Sequence, residues 1–174
     1  SDSAIPGLST GLRDLDTKIN GLNKSDLLLI AARPAMGKSS LALNIGVNVA
    51  KKYSKTVAVF NLEMSREQLA MRLLSGEAFV DSAKMQTGKL ENEEWTKLTM
   101  AASALSQTDI RIDDNPSSTV AEMNAKLRRV ENLGLVIIDY LQLMTGSGYG
   151  KQSENRVQVV GDISRSLKIM AKEL

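Results

Sequence analysis

Three groups of residues have types and spacings that suit phosphate chemistry. The stretch ARPAMGKSS (32–40) follows the apolar run LLLIA (27–31), Glu63 follows TVAVFNL, and Asp139 ends the run LVIID. Gly-Lys-Ser at the joint between a buried strand and a helix lets backbone amides at a positive helix end converge on an anion. The candidate phosphate loop is Ala32, Arg33, Pro34, Ala35, Met36, Gly37, Lys38, Ser39 and Ser40. In it Gly37 gives the chain close access to a β-phosphate, Lys38 reaches the β- and γ-phosphates, and Ser39 is placed to ligate Mg²⁺. Ala32 stands where the usual pattern has glycine, which is tolerable unless the backbone there needs a positive φ. The Arg33-Pro34 pair stiffens the same loop.

The two carboxylates have complementary readings. Asp139 at a strand's carboxyl end belongs near the phosphates, directly or indirectly holding Mg²⁺. Glu63 sits where it can polarise an attacking water. Each also has a plainer reading, Asp139 as a turn former and Glu63 as an acid favoured beside a helix start. The sequence has no histidine, so any general base must be a carboxylate. It has no cysteine either, which excludes disulfides and thiolate metal sites. The 22 basic and 20 acidic residues leave a net charge of +2, so a nucleic-acid surface would have to be local. No apolar run has the length of a membrane span and no signal-peptide pattern opens the chain, so a cytoplasmic domain without membrane association is expected.

Positioning these groups requires strands that alternate with helices. The runs at 27–31, 56–60 (TVAVF), 110–112 (IRI) and 135–139 are continuous, as in strands covered on both faces. Leu41, Ile45 and Val49 form one helical stripe. SREQ (65–68) is a capping box opening a helix that turns Leu69 and Leu73 inward. Trp95, Leu98, Ala102 and Leu105 form another stripe. Val120, Met123, Leu127 and Val130 form a fourth behind a second capping box, TVAE (119–122). Val157–Leu174 reads as a final helix with Val160, Ile163, Leu167 and Met170 inward. The fold class expected is α/β, a mostly parallel sheet with helices on both faces. Residues 1–26 read as a turn-rich lead-in and 27–174 as the domain proper.

The polar segment TGSGYGKQSEN (145–155) reads as a loop, and with Lys151, Asn155, Arg156 and Tyr149 it suits a single-stranded nucleic-acid backbone. A plain solvated loop is the competing reading. KLRR (126–129) reads as the wet face of its helix, and the eight methionines as core filler.

Taken in order, IPGLSTGLRDLD, AARPAMGKSSLALNI, NLEMS and VIIDYLQLM, with ENR and ISRSLK after the polar loop, resemble the bacterial replicative DNA helicases of the DnaB type. The resemblance implies a RecA-like phosphate-loop ATPase core using ATP and Mg²⁺. It further implies a ring, usually a hexamer, around single-stranded DNA, with hydrolysis between subunits driving translocation and strand separation. Primase and a helicase loader are the partners such a protein would have. By the same resemblance Lys38 and Ser39 match the loop's lysine and hydroxyl ligand, Glu63 the catalytic glutamate and Asp139 the Mg²⁺-associated aspartate. The segment after Asp139 matches one facing the central channel. Ala32 looks like an accepted variant within the family.

Family domains continue past the position of Leu174, with a strand lying between those carrying Lys38 and Asp139, a second DNA-facing loop and an arginine finger. The resemblance therefore implies a domain incomplete on its C-terminal side. A finger in trans contributes about 10³ to 10⁵ in rate in related enzymes, so this chain alone is expected to be nearly inactive. Two other readings stay open. One is a recombinase or DNA-repair ATPase, against which NLEMS with DYLQLM speaks. The other is a non-catalytic module in which ATP governs assembly.

Overall fold

Strands that are apolar on both faces must be covered on both, and the alternation along the central strand shows how this is done. The computed structural model describes residues 6–28, 38–139 and 153–174, with the side chains of Lys38, Ser39 and residues 153–160 outside that description. Among the described residues three parallel strands, β1 (Thr56–Asn61), β2 (Ile110–Asp113) and β3 (Leu133–Asp139), pair in the order β2-β1-β3. All six residues of β1 are buried. Val57 and Val59 point to one face, where they meet Leu43, Ile45, Val49, Ala50 and Leu69. Those side chains come from α2 (Lys38–Tyr53) and α3 (Arg66–Ala78). Ala58 and Phe60 point to the other face, against Met123 and Leu127 of α6 (Val120–Leu127) and Leu167 and Met170 of α7 (Ser153–Glu173). The result is a helix–sheet–helix sandwich, the expected α/β class. Burial of each large apolar side chain contributes about 1.5–3 kcal/mol before entropy is counted.

Close approach positions α2. A Cβ at Gly46 would lie 2.8 Å from Cδ1 of Ile137, so glycine lets this helix rest on β3 there without displacing the end of that side chain. Gly134 is equally constrained, because a Cβ there would lie 2.6 Å from Cβ of Lys55. It sits at the register shift that opens the β1–β3 pairing. A smaller cluster, Ala78, Val80, Leu98 and Ala101, joins α3 to α5 (Asn92–Ser106), with Met85 of α4 (Ser82–Thr87) packed beside it.

Three of the four expected strands are present, each one or two residues longer than its apolar run. The fourth, at 27–31, lies outside the described residues from position 29 onward. Several details differ from expectation. Residues 6–28 contain a helix, α1 (Arg13–Ile19), bracketed by an antiparallel bridge between Leu8 and Leu22. Its carboxylate Asp16 is buried, and Leu8, Leu15 and Leu22 pack on the first core cluster. On α2 the deep residues include Leu43, Val47 and Ala50 as well as Ile45 and Val49, whereas Leu41 is 36% exposed. On α5 the inward face is centred on Leu98, Ala101 and Leu105, which leaves Ala102 exposed and Trp95 52% exposed on its flank. The TVAE box forms only its first half, with Thr119 Oγ1 accepting from the Glu122 N–H at 3.2 Å. A box not foreseen, Glu91 with Glu94, opens α5. The polar loop ends earlier than expected, because Ser153, Glu154 and Asn155 already belong to α7. Val160 of the expected inward stripe lies among the side chains outside the description.

Candidate functional site

Parallel strands deliver the residues that follow them to one edge of the sheet, and the register sets what meets there. Asn61 and Asp139 are paired positions at the carboxyl ends of β1 and β3. Asn61 is 1% exposed and has no apolar role at that depth, so its amide must be satisfied internally. Its Oδ1 accepts from the backbone N–H groups of Glu63 at 2.9 Å and Met64 at 2.6 Å. Its Nδ2 donates to Oδ2 of Asp139 at 3.2 Å. The backbone N–H of Leu62 also donates to the Asp139 carbonyl, at 3.3 Å.

Glu63 therefore sits on a turn held at both ends. On its far side Ser65 caps α3, accepting from the Gln68 N–H at 3.2 Å while Gln68 Oε1 accepts from the Ser65 N–H at 3.0 Å. The box read from SREQ is complete. Glu63 itself is exposed at the mouth of this turn, and Asp139 is half-buried.

The third strand end is occupied differently. Asp113 at the end of β2 pairs with Lys126 at 2.5 Å and accepts from the Asn115 N–H. Burial pushes its carboxyl up, but Lys126, that N–H and the nearby Arg66 outweigh it and hold the group below the usual carboxylate range. Arg66 donates through its side chain to the Ile112 carbonyl at 3.0 Å, and its backbone N–H donates to Asp114. This end of the sheet is thus tied to the start of α3. Lys126 lies on the exposed helix face read from KLRR and from there also ties across that edge.

Of the residues singled out from the sequence, Glu63 and Asp139 are brought to neighbouring strand ends, joined through Asn61. α2 is described from Lys38 onward, that turn carries no acidic residue, and Ser40 is exposed there. Ala32–Gly37 and Lys151 lie outside the described residues, as do the side chains of Lys38, Ser39, Asn155 and Arg156. The residue sequence reasoning missed is Asn61. Asparagine at a strand end, two positions before an acid, is a signature of a side chain that bonds to the turn after it.

The donor chemistry suits Mg²⁺ better than a metal held wholly by protein. Among the described residues there is no group of three or more acidic, histidine or cysteine ligands. One hard carboxylate, Asp139, stands at the strand end, and Mg²⁺ is commonly held by one or two carboxylates together with phosphate oxygens.

Comparison with known proteins agrees with this architecture. Residues 7–174 match the family model described as the DnaB-like helicase C terminal domain. The chain is 50% identical to the replicative DNA helicase DnaB of Geobacillus stearothermophilus, over 99% of its own length and 38% of that protein's. It is 48% identical to the replicative DNA helicase DnaC of Bacillus subtilis (strain 168), covering 98% of itself and 38% of the relative. The chain thus spans well under half the length of the curated relatives it matches. Among solved structures, a DnaB-like replicative helicase described with its interactions with primase superposes with a TM-score of 0.85 at 31% identity, over 99% of this chain and 42% of that one. A second solved structure, described as an ATPase domain, superposes with a TM-score of 0.84 at 29% identity, covering 99% of this chain and 62% of that one.

Proposed function

Because the chain belongs to the DnaB-like helicase C-terminal domain family, with a RecA-like α/β fold, we propose that it is the ATP-hydrolysing motor portion of a replicative DNA helicase. The observation that most supports this is the assembly at the sheet's carboxyl edge. Asp139 and the turn carrying Glu63 come from adjacent strands and are tied by Asn61.

In this reading Ala32, Arg33, Pro34, Ala35, Met36, Gly37, Lys38, Ser39 and Ser40 form the phosphate loop. Backbone amides there and the amino end of α2 hold the phosphates, and Lys38 neutralises the β- and γ-oxygens. Ser39 and Asp139 hold Mg²⁺, which when bound offsets charge on the phosphate oxygens. Glu63, exposed on its clamped turn, accepts a proton from the attacking water or orients it toward the γ-phosphorus. Lys151, Asn155 and Arg156 contact the backbone of single-stranded DNA. The protein assembles head to tail into a ring, taken here as a hexamer, with each site shared between neighbours. The structure described with primase motivates primase as a partner, with a loader as a second.

The test is Glu63→Gln in the full-length protein. ATP binding should persist within about twofold while DNA-stimulated turnover falls by at least about 10², the scale of general-base catalysis. Turnover that survives the change would reduce Glu63 to a helix-start acid.

A further inference from the structure

We propose that Asn61 is a positioning residue for ATP hydrolysis, one amide that sets both the Glu63 turn and the Asp139 carboxylate. The proposal rests on the functional reading above and extends it to a residue outside the assigned catalytic set. Asn61 is 1% exposed, and its amide faces both groups. Its oxygen has two donors, the N–H groups of Glu63 and Met64, and its nitrogen faces a carboxylate oxygen of Asp139. That pattern fixes the orientation of the amide, since the flipped amide would set NH₂ against two N–H donors and oxygen against an anion.

Two groups assigned different tasks are thereby referenced to one rigid point. The turn carrying Glu63 cannot shift without breaking bonds to Oδ1, and Asp139 cannot swing from the β3 end without losing Nδ2. Asparagine suits the place better than its near relatives. Aspartate would present an acceptor to Asp139, and a side chain without polar atoms would serve neither side. Ångström-scale misplacement of reacting groups costs about 10²-fold in rate, so holding both matters to turnover more than to binding.

The test uses the full-length protein and three readouts: kcat and KM for DNA-stimulated ATP hydrolysis, affinity for a fluorescent ATP analogue with Mg²⁺, and amide hydrogen exchange at Glu63 and Met64. For Asn61→Ala, kcat should fall about 10- to 100-fold, with analogue affinity within about twofold and faster exchange at both amides. Asn61→Asp keeps the shape and the acceptor for the two N–H groups. Exchange should stay slow while kcat still falls by at least about tenfold, because a second carboxylate then faces Asp139, repelling it or sharing its proton in place of the neutral amide donor. If the alanine variant does not fold, the isosteric aspartate variant decides alone.

Rates within about twofold of the parent in the folded variants would overturn the proposal. So would a loss of ATP affinity as large as the loss of rate, the mark of a general structural role. Should Glu63→Gln abolish turnover while the Asn61 variants remain fully active, this inference fails and the motor reading stands. A parent protein that hydrolyses no ATP with DNA present removes both.

Discussion

Asp16 is the residue whose burial is hardest to reconcile with its type, and its partners explain it. Burial pushes its carboxyl up, but the Ser9 hydroxyl at 2.5 Å, the Thr10 N–H at 2.8 Å, the Thr10 hydroxyl at 2.7 Å and the charge of Lys52 outweigh that and hold it below the usual range. A depressed folded pKa stabilises the fold fully above the unfolded value, and that share is lost as pH falls through the folded one. The protein should therefore lose stability from about pH 4 downward, and Asp16→Asn should cost about 2 kcal/mol at pH 7, with the difference shrinking in acid. Denaturant melts of both proteins across that range check this; an unchanged difference at low pH would contradict it. At the proposed phosphate loop, Lys38→Ala should weaken ATP binding about 10- to 100-fold, the worth of charge-assisted bonds to phosphate, and titration with a fluorescent analogue reads it directly. Lys38, Glu63 and Asp139 could be proposed from the sequence because each follows an apolar run, and of these the structure brings Glu63 and Asp139 to neighbouring strand ends. Asn61 and Asp16 were not, since their importance lies in partners that only the register and the Leu8–Leu22 bridge bring near.

At the scale of elements, the helix start behind Glu63 is the most exposed to test. Ser65→Ala removes half of a complete capping box and should cost about 1 kcal/mol. Because the same cap anchors the turn, turnover in the full-length protein should fall further than stability suggests. Comparison of melting and ATPase rate separates the two effects. Gly46→Val would force a branched side chain toward Ile137 and should destabilise by about 1–3 kcal/mol, read by the same melts. Element existence was readable where period and caps agreed, as for β1, β3, α3 and α6. It failed where the signal was short or local: α1 has no capping side chain, and α4 is six residues long. On α5 the sequence stripe falls a little to one side of the inward face because Trp95 is the most apolar-looking residue of its turn. Its neighbour Glu94 instead folds inward to Glu91 and Lys84, and the indole is left at the flank.

For the whole molecule, the layered class followed from alternating strands and helices, since buried parallel strands have few other solutions. Continuous apolar runs demanded helices on both faces, and both clusters supply them. What pattern alone does not encode is which strands are neighbours. The order β2-β1-β3 places the second and third described strands on opposite sides of the first, and that order brings Asp139 to Asn61. Among the described residues β3 pairs with β1 alone, and its seven residues are all partly accessible where those of β1 are all buried. Ring assembly belongs to this scale as well, because head-to-tail contacts close only if the subunit rotation permits. The most direct test of the motor account is the ATPase rate per subunit against protein concentration, with and without single-stranded DNA, for the full-length protein. The account predicts a rate that rises with concentration as subunits assemble and rises again with DNA. A rate independent of both would mean a self-contained site and would contradict a ring motor on DNA.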